Sequence, residues 1–309
     1  MAFRLEKLRQ LWKLVRESHA KPLQGESHKP AVVGAGEQAG TFMGHSSFLV
    51  QRNGVAVLID PVFATRLILL RRQRRAGVRV RDLPDIDAVL LTHAHMDHLN
   101  RPSLRAVVKE MRRRGRLAPV VVVPNDVEDL VADLGFSRVV ELRWWESAEV
   151  GGLKVTATPA RHWGARMFKD THRGFGGYVL EARGAETVYH SGDTAYFGGF
   201  KEIARRLAPK IALLPIGAYF PDSYRSVHTS PEEALQAFLD LRAETMVPMH
   251  YNTFRLGREP MEEPLPRLLM AAERAGVVAK VHALAEGEQM VVAGGDFEAE
   301  TAVELASVS

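Results

Sequence analysis

The sequence predicts a large layered α/β domain, and three observations carry that expectation. Short β-rich runs recur from Thr41 onward, and helical patterns separate several of them. With 309 residues, 46% of them apolar, the chain is long enough to bury a sizeable core without staples. No internal repeat interrupts the pattern, and a single main domain over residues 39–290 is expected.

The elements follow in order. Residues 1–17 set Leu5, Leu8, Trp12 and Val15 on one helical face, with Lys7, Arg9, Lys13 and Arg16 elsewhere. Residues 18–38 are polar and carry Gly, Pro and Ser, so 1–38 read as an amphipathic helix followed by a linker. Strands are expected at 47–50, 55–59, 88–92, 120–123, 153–158, 178–180, 187–190, 211–215 and 246–248. Helices are expected at 103–114, 127–134, 231–241 and 264–275. Residues 291–309 read as an acidic tail.

Composition excludes several classes. There is no cysteine, which rules out disulfides, thiolate metal sites and a cysteine nucleophile. No apolar run reaches the ~18 residues of a bilayer span. Charges interrupt the N-terminus every two or three residues, so it is not a signal peptide, and a cytoplasmic location is expected. The net charge is +4, unevenly spread: residues 66–81 hold seven Arg and no acid, whereas 286–309 hold six acids and no Lys or Arg. Basic patches favour anionic partners. The apolar-plus-basic make-up of residues 1–17 and 66–81 fits peripheral contact with the inner membrane face, and the N-terminal helix also offers a packing or homodimer contact. Nucleic acid is disfavoured, because aromatic and basic residues do not interleave as single strands require.

The chemistry concentrates in Thr92-His93-Ala94-His95-Met96-Asp97-His98, directly after an apolar run that reads as a buried strand. Packing has no use for three His and an Asp within six residues. Nitrogen and oxygen ligands without sulfur suit Zn²⁺, and also Mn²⁺ or Fe²⁺. More ligands are available than one ion needs, so two metals are considered. His162, Asp193 and His250 each follow another strand run, where a rigid scaffold presents side chains to a loop. His190 reads as packed or supporting, and Trp163 and the pair Trp144-Trp145 read as core or pocket wall.

These residues resemble the signature of the metallo-β-lactamase superfamily, HxHxDH followed by His, Asp and His, over about residues 40–285. The resemblance implies an αββα sandwich with the ligands at one edge. It implies one metal on His93, His95 and His162, a second on Asp97, His98 and His250, and Asp193 bridging. Water between the metals would be the nucleophile. Asp60, in Leu58-Ile59-Asp60-Pro61, resembles the family's early strand-end Asp and would orient a ligand imidazole.

Further segments are similar to one branch, that of N-acyl-phosphatidylethanolamine-hydrolysing phospholipase D and its bacterial metal-dependent hydrolase relatives. They include Gly44-His45-Ser46-Ser47, Ser191-Gly192-Asp193-Thr194, Pro215-Ile216-Gly217-Ala218-Tyr219 and His228-Thr229-Ser230-Pro231. The resemblance implies a phosphodiesterase acting on a small or phospholipid-like anionic substrate. Asp97 and His228 are its expected catalytic residues, His228 lying near the substrate phosphate, and His45 and Tyr219 are expected to line or support the site. A lactone, ester or amide hydrolase is the alternative on the same residues, and an RNA-processing nuclease a more distant one.

Overall fold

The computed structural model describes residues 2–34, 36–166 and 170–293. Helix α1 (Ala2–Ala20) leads into strands β1 (Glu37–Gly44), β2 (Ser47–Arg52) and β3 (Val55–Ile59), then a short hairpin, β4 (Arg66–Leu67) and β5 (Leu70–Arg71). Strand β6 (Ala88–Leu90), helix α2 (Arg101–Arg113) and strands β7 (Val120–Pro124) and β8 (Arg138–Leu142) complete the first half. The second half begins with β9 (Ser147–Val150), β10 (Leu153–Thr158), β11 (Gly177–Glu181) and β12 (Val188–His190). It continues through α3 (Gly199–Leu207), β13 (Ile211–Pro215), α4 (Pro231–Leu241), β14 (Thr245–Met249) and α5 (Pro264–Arg274). Strand β15 (Gln289–Ala293) then returns to the first sheet.

Two sheets result, ordered β15-β1-β2-β3-β6-β7-β8 and β14-β13-β12-β11-β10-β9. Strands buried on both faces still alternate. Phe48, Val57, Ile59 and Leu90 face Val155, Tyr178, Leu213 and Val247 across the space between the sheets. Their neighbours Leu49, Leu58 and Val89 turn outward onto Leu104, Val107 and Met111 of α2. On the other side Tyr189, Ala212 and Leu214 meet Phe200 of α3, Phe238 of α4 and Leu268 of α5. The layers are therefore helix, sheet, sheet, helix, as expected.

Local chemistry starts the helices where they begin. The Asn100 side chain accepts the Ser103 N–H at the head of α2, with Pro102 following. Ser230 and Glu233 close a capping box on α4, with Pro231 at its first position. Residues 127–134 instead form two 3₁₀ turns, Glu128–Leu130 and Ala132–Leu134. The Glu141 carboxylate accepts the Val127 and Glu128 N–H groups, and β-branched Val127 and Val131 weaken an α-helix. Six strands and one α-helix of the described residues escape the sequence pattern: β1, β4, β5, β8, β9, β15 and α3. Strand β1 reads EQAGTFMG, too polar and glycine-rich to signal, and it forms because β2 and β15 pair with both its sides.

Residues 18–38 are not a free linker. Gln24 bridges to Arg74, and His28 donates its N–H to the Gly77 carbonyl. The end of α1 docks: Val15 is buried, Ser18 Oγ accepts the Arg71 N–H, and Glu17 pairs with Arg255 at 2.6 Å. Trp12 is 57% exposed, and the Leu5 and Leu8 side chains lie outside the described residues. Most of the tail expected at 291–309 also lies outside them.

The basic stretch 66–81 is partly internal. Arg72 is buried and donates to the carbonyls of Arg74 (2.7 Å), Val62 (2.7 Å) and Met43 (3.1 Å). Burial pulls its pKa down to about 10, against the pull of Glu286. Arg74 pairs with Glu286 and Arg79 with Asp82. Arg72→Met is expected to leave the Val62 and Arg74 carbonyls unpaired, while that of Met43 keeps the Gly77 N–H, and to cost about 3 kcal/mol, read as a lower Tm in thermal unfolding. An unchanged Tm would remove this brace from the account.

Candidate metal centre

Strand direction brings the site together. Strands β1, β3 and β6 run parallel to one another, as do β10, β12, β13 and β14. Their C-terminal ends therefore fall on one edge of the sandwich. From those ends come His45, Asp60, the 93–98 loop, His162, Asp193 and His250. Three of these residues, His45, Asp60 and His250, hold left-handed backbone (φ 62°, 44° and 60°), the local strain that clusters at functional sites. Gly192 is also left-handed, and a Cβ there would meet the Gly176 carbonyl at 2.4 Å. Only glycine lets the Asp193 turn lie so close.

Asp193 lies at the centre. Its Oδ2 is 3.1 Å from His250 Nε2, 3.3 Å from His98 Nε2 and 3.9 Å from His93 Nε2, His162 Nε2 and His228 Nδ1. On one side His95 Nδ1 lies 2.8 Å from His93 Nε2 and 3.2 Å from His162 Nε2. On the other, Asp97 Oδ2 is 3.0 Å from His45 Nε2 and 3.7 Å from both His98 Nε2 and His250 Nε2. Two main groups of donor atoms, each within 4.8 Å, follow among the described residues: His93, His95, His162 and Asp193, and His45, Asp97, His98 and His250; a third, Asp193, His228 and His250, links them. All seven residues of the sequence pattern converge.

The donor set fits a cation by its unmet valences. His98 Nε2, Asp193 Oδ1, His228 Nδ1 and both His250 nitrogens are buried without hydrogen-bond partners. Such atoms are costly unless something satisfies them. The far nitrogens are held. His98 Nδ1–H donates to Asp60 (2.7 Å), His162 Nδ1–H to the Val227 carbonyl (2.8 Å), and His93 Nδ1 meets Thr92 Oγ1 (2.9 Å). Each bond turns Nε2 inward, as metal-binding imidazoles require.

Electrostatics divide the imidazoles. Burial disfavours charge on all of them, and it holds His93 and His162 well below the usual range and His45 and His228 at about 4. At His98 and His250 the carboxylates of Asp193 and Asp97 outweigh burial, joined at His98 by Asp60. His98 is held well above the usual range and His250 at about 9. The same His98 and His250 charges overcome burial at Asp193, which stays well below the usual carboxylate range.

A pH dependence follows. Metal-stripped protein gains stability from the His250 proton below about pH 6.5 and loses it as pH rises through about 9. A metal can bind only when that proton leaves, so binding should release protons and tighten from pH 6.5 towards 9. Calorimetric titration of Zn²⁺ in buffers of different ionisation enthalpy reads this directly. Buffer-independent heats between pH 7 and 8 would contradict it.

Other sequence candidates divide. His45 sits inside, its ring 4.3 Å from that of His250 and its carbonyl accepting the His250 N–H. His228 is buried beside Asp193. Tyr219 is placed differently from expectation. Its hydroxyl donates to Glu263 at the head of α5, and its ring lies under the Arg267 guanidinium, so it braces its loop. His190 supports the site, accepting the Gly192 N–H at Nδ1 and donating from Nε2 to the Ser46 carbonyl. Sequence reasoning missed Arg166, which clamps the ligand loop by donating to the Ala94 and Leu99 carbonyls. No local motif marks it. Thr92 was legible only as the residue before HxHxDH.

A four-layer sandwich with this donor cluster on its strand-end edge defines a class, the metal-dependent hydrolases of metallo-β-lactamase fold. The chain belongs to that family: the beta-lactamase superfamily domain matches residues 56–251. Among its relatives is the mitochondrial N-acyl-phosphatidylethanolamine-hydrolyzing phospholipase D of Saccharomyces cerevisiae, 32% identical over 282 residues. That match covers 84% of this chain but 59% of the yeast protein's length. A UPF0173 metal-dependent hydrolase of Rubrobacter xylanophilus is 31% identical over 255 residues, covering 81% of this chain and 95% of that one. Among solved structures, the metallo hydrolase Igni18 of Ignicoccus hospitalis matches with a TM-score of 0.64 at 28% identity, covering 85% of this chain and all of Igni18.

Proposed function

We propose that the protein hydrolyses phosphodiesters, phospholipid-like ones among them, at a two-metal centre. In this reading His93, His95 and His162 would hold one divalent ion, Asp97, His98 and His250 the other, and Asp193 would serve both. The observation that carries it is the reach of one carboxylate, Asp193, to imidazoles of both donor groups. The purely N/O donor set suits zinc, manganese or iron. When bound, such ions acidify water and polarise a phosphoryl or carbonyl oxygen. The resemblance to the yeast relative supports a diester over a carbonyl substrate.

The chain's own groups have separable tasks. The hydrogen bond from His45 aims the Asp97 carboxylate inward. Burial keeps His228 neutral at pH 7, with Nδ1 facing the Asp193 carboxylate and unpartnered. A neutral imidazole there suits a hydrogen bond to a substrate oxygen better than proton donation to a leaving group. Peripheral membrane contact is supported by Ile68, 74% exposed at the tip of the β4–β5 hairpin between Arg66 and Arg71. Among the described residues no helix is long and apolar enough to cross a membrane.

The test is turnover of bis(p-nitrophenyl) phosphate before and after chelator treatment. Chelator-sensitive hydrolysis restored by Zn²⁺ or Mn²⁺ is expected. Metal-loaded protein that leaves this diester intact and opens lactones or carboxylate esters would move the assignment to carbonyl substrates.

A further inference from the structure

Trp163 is a large apolar side chain left in the open beside a charged site. Its ring centroid lies 4.4 Å from that of His162, 4.8 Å from His95 and 6.3 Å from His228. One side of the indole is thus packed on imidazoles of the centre, yet the residue is 41% exposed. Among the described residues its N–H has no hydrogen-bond partner. Trp144, equally exposed, contrasts with it. That indole donates to the Phe175 carbonyl and packs edge-on against the Phe175 ring, so it belongs to the wall of the fold. Trp163 has no such employment.

A neighbouring loop also carries exposed rings. Val227 accepts the His162 Nδ1–H, and His228 donates its N–H to the Tyr224 carbonyl, so the 220–228 loop is tied to the segment bearing Trp163. Phe220 and Tyr224 on that loop are also exposed. Large exposed apolar groups beside a reactive site mark a place that something covers.

We infer that Trp163 is a specificity-determining residue, forming a subsite for a flat or extended apolar group attached to the ester being cleaved. This deepens the hydrolytic reading above and rests on it. The substrate class it names is esters whose non-leaving substituent is aromatic or acyl-like, rather than small or sugar-like. Stacking on the free indole face would hold that substituent while the reacting group lies over the imidazoles.

Binding of paired anions to the metal-loaded protein tests this without requiring turnover. Calorimetry with diphenyl phosphate and dimethyl phosphate compares ligands that share the phosphate and differ in the apolar arm. Wild type is expected to bind the diphenyl ester roughly tenfold more tightly, the upper range for an aromatic contact. Trp163→Ala should erase that preference and leave dimethyl phosphate affinity and metal content unchanged, while Trp163→Phe keeps most of it. Equal binding of the two in wild type, a preference that survives Trp163→Ala, or a parallel loss for both ligands with loss of metal would overturn the assignment. If neither phosphate binds, the phosphodiester reading fails separately, and benzoate against acetate becomes the deciding pair. Wild-type protein indifferent between those two also overturns the subsite.

Discussion

Asp193→Ala is expected to strip the centre of tightly held metal and to lower kcat/KM by roughly 10³-fold, the scale of a lost metal-ion contribution of several kcal/mol. The reason is position. One carboxylate oxygen lies within 3.1–3.9 Å of nitrogens from five imidazoles. Asp97 pairs with His45, His98 and His250 on one side and reaches His95 on the other only through its charge. Asp193 is also the foremost charge raising the affinity of His98 and His250 for a proton, so its loss should lower both pKa values in stripped protein. The fold should survive, because removing the carboxylate relieves a buried charge whose compensation is local. Asp193→Asn separates charge from shape: it should retain the fold and fail to retain metal. Elemental analysis after gel filtration, with activity on the diester, reads both effects. Wild-type metal content with activity within tenfold would remove Asp193 from the centre.

Asp60→Ala is expected to damage site and fold together. The carboxylate is fully buried and accepts the Thr92 N–H (2.8 Å), the Thr92 hydroxyl (2.6 Å) and His98 Nδ1–H (2.7 Å). Because the Thr92 hydroxyl gives its proton to Asp60, its oxygen is left to accept from His93 Nδ1–H. One acid thereby fixes the Nδ1 proton of two imidazoles, His93 and His98, and turns both Nε2 atoms towards Asp193. Loss of such an outer partner weakens metal binding by about 10–100-fold. The stranded donors, one of them on an imidazole charged in stripped protein, add a stability loss of about 3–5 kcal/mol. Thr92→Val should uncouple the two consequences, weakening metal binding through His93 while costing less stability. Competition with a chromogenic chelator and denaturant unfolding measure them side by side. If Asp60→Ala binds zinc as wild type does, the relay from Asp60 is wrong.

Much of this centre was legible in the chain. HxHxDH is local and dense, and His162, Asp193 and His250 each follow an apolar run that stops abruptly. Strand ends carry such residues because the sheet fixes the backbone while the loop frees the side chain. The contacts that complete the centre were not legible. His45 meets Asp97 across 52 positions and Arg166 reaches the Ala94 carbonyl across 72. The Tyr219 hydroxyl, which the sequence offered to the site, goes instead to Glu263 at the head of α5. Arg72 belongs to a stretch that the sequence offers to anionic partners, yet three carbonyls surround it in the interior. Strand β1 is too glycine-rich to announce itself and exists through its neighbours.

By itself the sequence determined the inventory: which residues can bind metal, that nitrogen and oxygen are their donor atoms, and that each lies where a strand gives way to a loop. Those are properties of residue type and short-range pattern, which a linear chain carries in full. Only the tertiary structure decided that seven strand ends share one edge, that Asp193 lies between two donor groups, and that His250 holds its proton while His228 does not. Those properties depend on strand direction, on burial and on the distance between charges far apart in the chain, and they come into being only when the two sheets close on each other.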